Sequence, residues 1–127
     1  MAATAAASTP IAEEGQVISC QAKGHLTNYI EKGKESNRLV VVDFTASWCP
    51  PCRFIAPILA DYAKKLPHVI FLKVDVDEVE EAAKEFEVEA MPTFVFLKDG
   101  KVVDRVVGAE KVKLQIALDK HAAQASA

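Results

Sequence analysis

Leu39-Val40-Val41-Val42-Asp43-Phe44-Thr45 runs through Ala46-Ser47 into Trp48-Cys49-Pro50-Pro51-Cys52-Arg53. Two unlike patterns meet in that stretch. The first half is an almost unbroken β-branched and apolar run, the pattern of a strand buried on both faces. The second half opens a helix from about Pro50 to Leu66, with prolines tolerated at its start and Pro67 closing it. A buried strand that turns directly into a helix is half of a βαβ unit. Val69-Ile70-Phe71-Leu72-Lys73-Val74 supplies the second buried strand. Upstream, Val17-Ile18-Ser19-Cys20 reads as a short strand. Leu26, Tyr29 and Ile30 mark a helix ending between Gly33 and Asn37. Downstream, Asp77 is expected to cap a helix carrying Val79, Ala82, Ala83 and Phe86. Lys98-Asp99-Gly100 joins Thr93-Phe94-Val95-Phe96-Leu97 to Lys101–Val107 as a hairpin, and Val112, Leu114, Ile116 and Leu118 mark a last helix. Parallel crossovers followed by an antiparallel hairpin predict a mixed sheet with helices on both faces, a three-layer α/β sandwich.

The chain of 127 residues is one domain's worth. Its 15 basic and 18 acidic residues give a net charge of −3, which leaves no electrostatic footprint for nucleic acid or an anionic membrane. No apolar run is long enough to span a bilayer. Three cysteines are too few, and odd in number, for a secreted disulfide scaffold. The alanine-rich N-terminus lacks the basic and apolar regions of a signal peptide and the arginines of a transit peptide. A reducing cytoplasm is the expected compartment. Residues 1–14 and 122–127 read as flexible tails on a domain spanning 15–121.

Cys49 and Cys52 stand at i and i+3 across the first turn of a helix, close enough to close a disulfide. The unpartnered N–H groups of that turn favour a thiolate and lower the Cys49 pKa below the roughly 8.5 of a free thiol. Cys49 is therefore expected to be the exposed attacking sulfur, and Cys52, deeper in the helix, the buried resolving one. No second cysteine or histidine pair exists to complete a zinc site. His25, His68 and His121 are scattered and read as surface or cap residues. Asp43 is a carboxylate inside an apolar run. It is either a strand end facing solvent or a buried acid with a raised pKa, poised to carry a proton. Pro57 falls within the helical pattern, since Ile58, Leu59, Tyr62 and Ala63 continue it. Cys20 reads as a small buried hydrophobe or, alternatively, as a regulatory thiol.

Val42-Asp43-Phe44-Thr45-Ala46-Ser47-Trp48-Cys49-Pro50-Pro51-Cys52-Arg53, Phe71-Leu72-Lys73-Val74-Asp75-Val76-Asp77, Glu89-Ala90-Met91-Pro92-Thr93-Phe94 and Arg105-Val106-Val107-Gly108-Ala109 together resemble thioredoxin, most of all its plant cytosolic h-type. The match runs in order from about Glu14 to His121. The resemblance implies a five-stranded mixed sheet flanked by four helices. It implies Asp43 beneath the cysteine pair, exchanging a proton with Cys52, with Lys73 as its partner. It also implies a cis Met91-Pro92 bond against the pair, and an apolar groove rimmed by Trp48, Ala90, Met91, Val107, Gly108 and Ala109.

The implied activity is protein-disulfide reduction by dithiol exchange, with no cofactor beyond the cysteine pair. An NADPH-dependent thioredoxin reductase would re-reduce a monomeric protein acting on disulfide-containing targets such as peroxiredoxins. One position departs from the common pattern. Most family members carry Gly-Pro between the cysteines, where Pro50-Pro51 stands here, so Pro50, Pro51 and Lys73 are the expected tuning residues of the redox poise. Two rival readings remain at this point: a glutathione-dependent glutaredoxin-like reductase, and a binding module or chaperone that uses the groove without redox turnover.

Overall fold

The computed structural model describes residues 14–126, with side chains described as far as Ala122. Five strands alternate with four helices: β1 (Val17–Ser19), α1 (Lys23–Glu35), β2 (Val40–Thr45), α2 (Pro50–Lys65), β3 (Ile70–Asp75), α3 (Glu80–Glu85), β4 (Thr93–Lys98), β5 (Lys101–Val107) and α4 (Lys111–Ser126). The strands form one sheet in the order β1-β3-β2-β4-β5. β1, β3 and β2 run parallel, and β4 and β5 are antiparallel to their neighbours. β2 lies at the centre, which is why its sequence carries no polar alternation except Asp43.

Side chains of each inner strand alternate between two cores. Val41, Phe71, Phe94 and Phe96 meet Ile55, Leu59 and Ala63 of α2 and Leu114, Ala117 and Leu118 of α4. Val40, Val42, Phe44, Leu72, Val74, Val95 and Leu97 meet Leu26 of α1 and Ala82 of α3. Each large side chain so buried contributes about 1.5–3 kcal/mol against exposure. α1 lies tightly on β2: a Cβ at Gly33 would run into Val40 Cγ2, so this position in the last turn of the helix takes glycine despite its poor helix propensity. The hairpin closes through Asp99 (φ 55°) and Gly100 (φ 77°), both left-handed, as a two-residue turn matched to strand twist requires.

The structure corrects three readings of the sequence. Asp77 does not cap α3, whose N-cap is Val79 with no side-chain cap. The carboxylate of Asp75 stabilises that turn instead, accepting from the N–H groups of Asp77 (2.8 Å) and Glu78 (3.3 Å). Residues 122–126, expected as a tail, continue α4, and Ala122 packs into the core. The other expected tail lies, over residues 1–13, outside the described residues. His121 is neither a surface nor a cap residue: it is buried, its Nε2 lies 3.0 Å from Asp104 Oδ2, and its ring stands 5.9 Å from that of Phe96. No helix among the described residues is long and apolar enough to cross a membrane.

Candidate active site

β2 ends at Thr45, and the chain turns through Ala46-Ser47-Trp48 to place Cys49 at the N-cap of α2. Pro50 and Pro51 occupy the next two positions, where a missing N–H leaves no broken helical bond. The first amide free to donate is that of Cys52. It points at Cys49 Sγ at 3.2 Å, so sulfur fills the role a serine or aspartate oxygen usually plays at an N-cap. Cys49 and Cys52 are joined as a disulfide, with Cα atoms 5.3 Å apart. α2 continues unbroken through Pro57 to Lys65, as the residues after Pro57 predicted. On the flank, the Arg53 guanidinium donates to the Ser47 carbonyl at 3.0 Å and braces the loop before the cysteines.

The expected exposure of Cys49 is not what the disulfide form shows. Cys49 and Cys52 are 3% and 4% exposed and share a small cluster with Ala46, Val76 and Met91. Cys49 Sγ lies 3.7 Å from the Met91 carbonyl oxygen. A residue from a loop 42 positions away covers the sulfur, and the spacing around the cysteines carries no sign of it. What distinguishes the two sulfurs is their surroundings: Cys49 sits at the N-cap of α2, and Cys52 lines the cleft that holds Asp43.

Asp43 is 3% exposed, so the solvent-facing reading of this residue fails. Strand alternation puts it with Val41 on the face covered by α2. It lines a cleft of about 310 Å³ with Cys52, Ala56, Lys73 and Cys20. Its Oδ1 is buried with no hydrogen-bond partner among the described residues. Burial, opposed by the charge of Lys73, pushes the carboxyl up to about 7. Lys73 is the register partner of Asp43 in β3 but is exposed, and among the described residues no ion pair closes between them. The expected pairing is therefore a neighbouring charge and not a contact. Cys20 is buried, 2% exposed, as a small hydrophobe would be.

The remaining residues read from the sequence fall on two flanks of the pair. Met91-Pro92 is a cis bond. Pro92 accepts the Gly108 N–H at 2.7 Å, and Thr93 pairs with Val107, so the 90–93 and 107–109 segments form one flank. Val107 is 53% exposed, Ala90 is exposed, and Met91, Gly108 and Ala109 are half-buried. Gly108 holds φ +94°, a conformation that favours glycine at this bend. Trp48 stands on the other flank, 61% exposed, with its indole N–H donated to Asp77 Oδ2 at 2.9 Å. That partner is the residue mistaken for a helix cap. Nothing in local spacing links two positions 29 residues apart.

The arrangement can store two electrons as a dithiol, and it combines an amide-supported sulfur, an interior sulfur and an acid titrating near neutrality. The sequence profile of the thioredoxin family matches residues 18–120. "Thioredoxin H-type 1" of Nicotiana tabacum is 67% identical over 114 residues, covering 90% of each chain. "Thioredoxin H1" of Arabidopsis thaliana is 59% identical over 111 residues, 87% of this chain and 97% of its own. The crystal structure of the thioredoxin NaTrxh from Nicotiana alata superposes with a TM-score of 0.80 at 43% identity, covering 84% of this chain and 92% of that one.

Proposed function

The chain belongs to the thioredoxin family, and from that membership we propose which of its atoms carry out the reaction. It is a thiol-disulfide oxidoreductase with protein-disulfide reductase activity, and its redox group is the Cys49–Cys52 pair. In the reduced protein, the Cys49 thiolate attacks one sulfur of a target disulfide. A new S–S bond forms to Cys49, the target bond breaks, and the departing target sulfur takes up a proton. Cys52 then yields its proton to the Asp43 carboxylate and attacks Cys49 Sγ. The mixed disulfide breaks, the Cys49–Cys52 bond closes, and the second target sulfur leaves as a thiolate that takes up a proton from solvent. Two electrons have passed to the target, and the proton on Asp43 is returned to solvent through the cleft lined by Lys73.

The observation that carries the order of attack is Cys49 Sγ at the α2 N-cap with the Cys52 N–H directed at it, because amide and helix dipole stabilise charge on that sulfur. Cys52→Ser accordingly traps stable mixed disulfides through Cys49, and Cys49→Ser traps few and loses turnover. Peptide mass spectrometry that found adducts mainly on Cys52 would reverse the assignment.

Family membership brings a reductase and protein targets as partners. Our finer reading is an NADPH-dependent flavoprotein reductase as donor, and disulfide proteins such as peroxiredoxins as acceptors, met by a monomer in the cytoplasm. An extended target segment would lie between Trp48 on one side and Ala90, Met91, Pro92, Val107, Gly108 and Ala109 on the other. Its backbone would pair with that of Met91, beside the attacking sulfur.

A further inference from the structure

We propose that Asp77 is a positioning residue: by holding the Trp48 indole it presets one wall of the target groove and sets affinity for protein disulfides. The proposal rests on the reductase reading above and concerns how the same site holds its substrate.

Trp48 is 61% exposed, and an exposed indole with two free torsions has no reason to keep one orientation. Here its Nε1–H donates to Asp77 Oδ2 at 2.9 Å. Both ends of that bond are anchored to the same place in the sheet. Thr45 and Asp75, the last residues of β2 and β3, are register partners. The Val76 N–H donates to the Thr45 carbonyl at 2.9 Å, and the Asp77 N–H donates to Asp75 Oδ1 at 2.8 Å. Trp48 leaves from one strand end and Asp77 from its neighbour, and the indole–carboxylate bond closes the ring between the two loops. A hydrogen bond to a charged acceptor is roughly twice as strong as a neutral one, enough to select one indole orientation even in water.

Large aromatic side chains dominate docking energetics, and fixing one on association carries an entropic cost. An indole already fixed in the free protein avoids that cost. The gain applies equally to the docked complex and to every later step of exchange, so it falls on KM and not on kcat.

Asp77→Ala and Asp77→Asn are compared with the parent, using insulin as the disulfide protein and dithiothreitol as electron donor. Trp48 is the chain's single tryptophan, so its fluorescence anisotropy reports on this indole alone. Asp77→Ala is expected to raise KM about fivefold, within the range set by ordering one side chain, with kcat within about twofold and lower anisotropy. Asp77→Asn retains an oxygen that accepts the same N–H, and should return both quantities toward the parent. A parent-like KM in Asp77→Ala, a raised KM with unchanged anisotropy, or an asparagine variant that behaves as the alanine one overturns the proposal. A parent protein that leaves insulin disulfides intact would overturn the reductase reading instead, and the proposal with it.

Discussion

Two carboxylates interrupt the apolar strands of this sheet on the same face, and they are treated in opposite ways. Asp104, in the edge strand β5, meets the buried His121 of α4 at 3.0 Å and keeps a third of its side chain in solvent. Asp43, in the central strand β2, is 3% exposed and has an oxygen with no hydrogen-bond partner among the described residues. The edge pair satisfies its atoms and fastens the last helix to the sheet. The central acid is left unsatisfied beneath the disulfide, with its ionised form disfavoured to the point where it titrates near neutrality. Polar burial with a partner builds structure; without one, it stores a reactive group at a cost in stability.

Asp43→Asn tests the costly half of that contrast and should have the largest effect. In the oxidised protein the Asp43 carboxyl titrates at about 7, against an ordinary 3.8. Between those values the folded state holds a proton the unfolded state has lost, so stability falls as pH rises from about 4 and levels off above about 7. At roughly 1.36 kcal/mol per unit, the full cost of ionisation is about 4 kcal/mol. Asp43→Asn removes this slope. Urea denaturation should find variant and parent alike near pH 4, and the variant more stable by a few kcal/mol at pH 8. Its rate of disulfide reduction near pH 7 should drop by about two orders of magnitude, the low end of the roughly 10²–10⁴-fold worth of a positioned proton carrier. Parallel stability profiles across that range would mean that Asp43 is not a buried acid in solution.

His121→Ala addresses the satisfied half. It removes the bond to Asp104 and the ring beside Phe96, at an expected cost of about 2–3 kcal/mol in urea denaturation. Insulin reduction below the melting range should keep its parent rate. A rate loss matching that of Asp43→Asn would abolish the division between the two ends of the sheet.

The smallest effect is expected at Pro50. Restoring glycine there returns an N–H at the first helical position, but the donor that reaches Cys49 Sγ is already that of Cys52. What remains is the stiffness of a turn with two prolines, which acts on the dithiol and disulfide forms unequally. Equilibrium redox titration of Pro50→Gly should move the reduction potential by about 30 mV or less, equivalent to roughly 1.4 kcal/mol for two electrons. Potentials that agree within error would make Pro50 redox-neutral.

The sheet could be read in the sequence because each inner strand is apolar on both faces and because Asp99-Gly100 admits a single kind of turn. The cysteine pair and Asp43 were visible for the same local reason, as chemical exceptions in otherwise regular runs. What escaped depends on contacts between distant segments. Asp77 holds Trp48 and His121 finds Asp104, and no periodicity encodes either meeting; the Met91-Pro92 segment against the cysteine pair was legible through the family resemblance alone. The end of α4 was missed for another reason: Ala122, Ala123 and Ala125 favour helix strongly but present no apolar stripe that would reveal it.

The strand order also sets a timetable for synthesis. The central strand is complete at Thr45, but its parallel neighbour starts at Ile70 and its antiparallel one at Thr93. A ribosome therefore delivers Cys49 and Cys52 well before the residues that flank β2 and cover the sulfurs. The hairpin of β4 and β5 pairs through a two-residue turn and can form as soon as it emerges. The cover over the two sulfurs comes from Val76, just past β3, and Met91, just ahead of β4, so both cysteines are made before either of the segments that cover them.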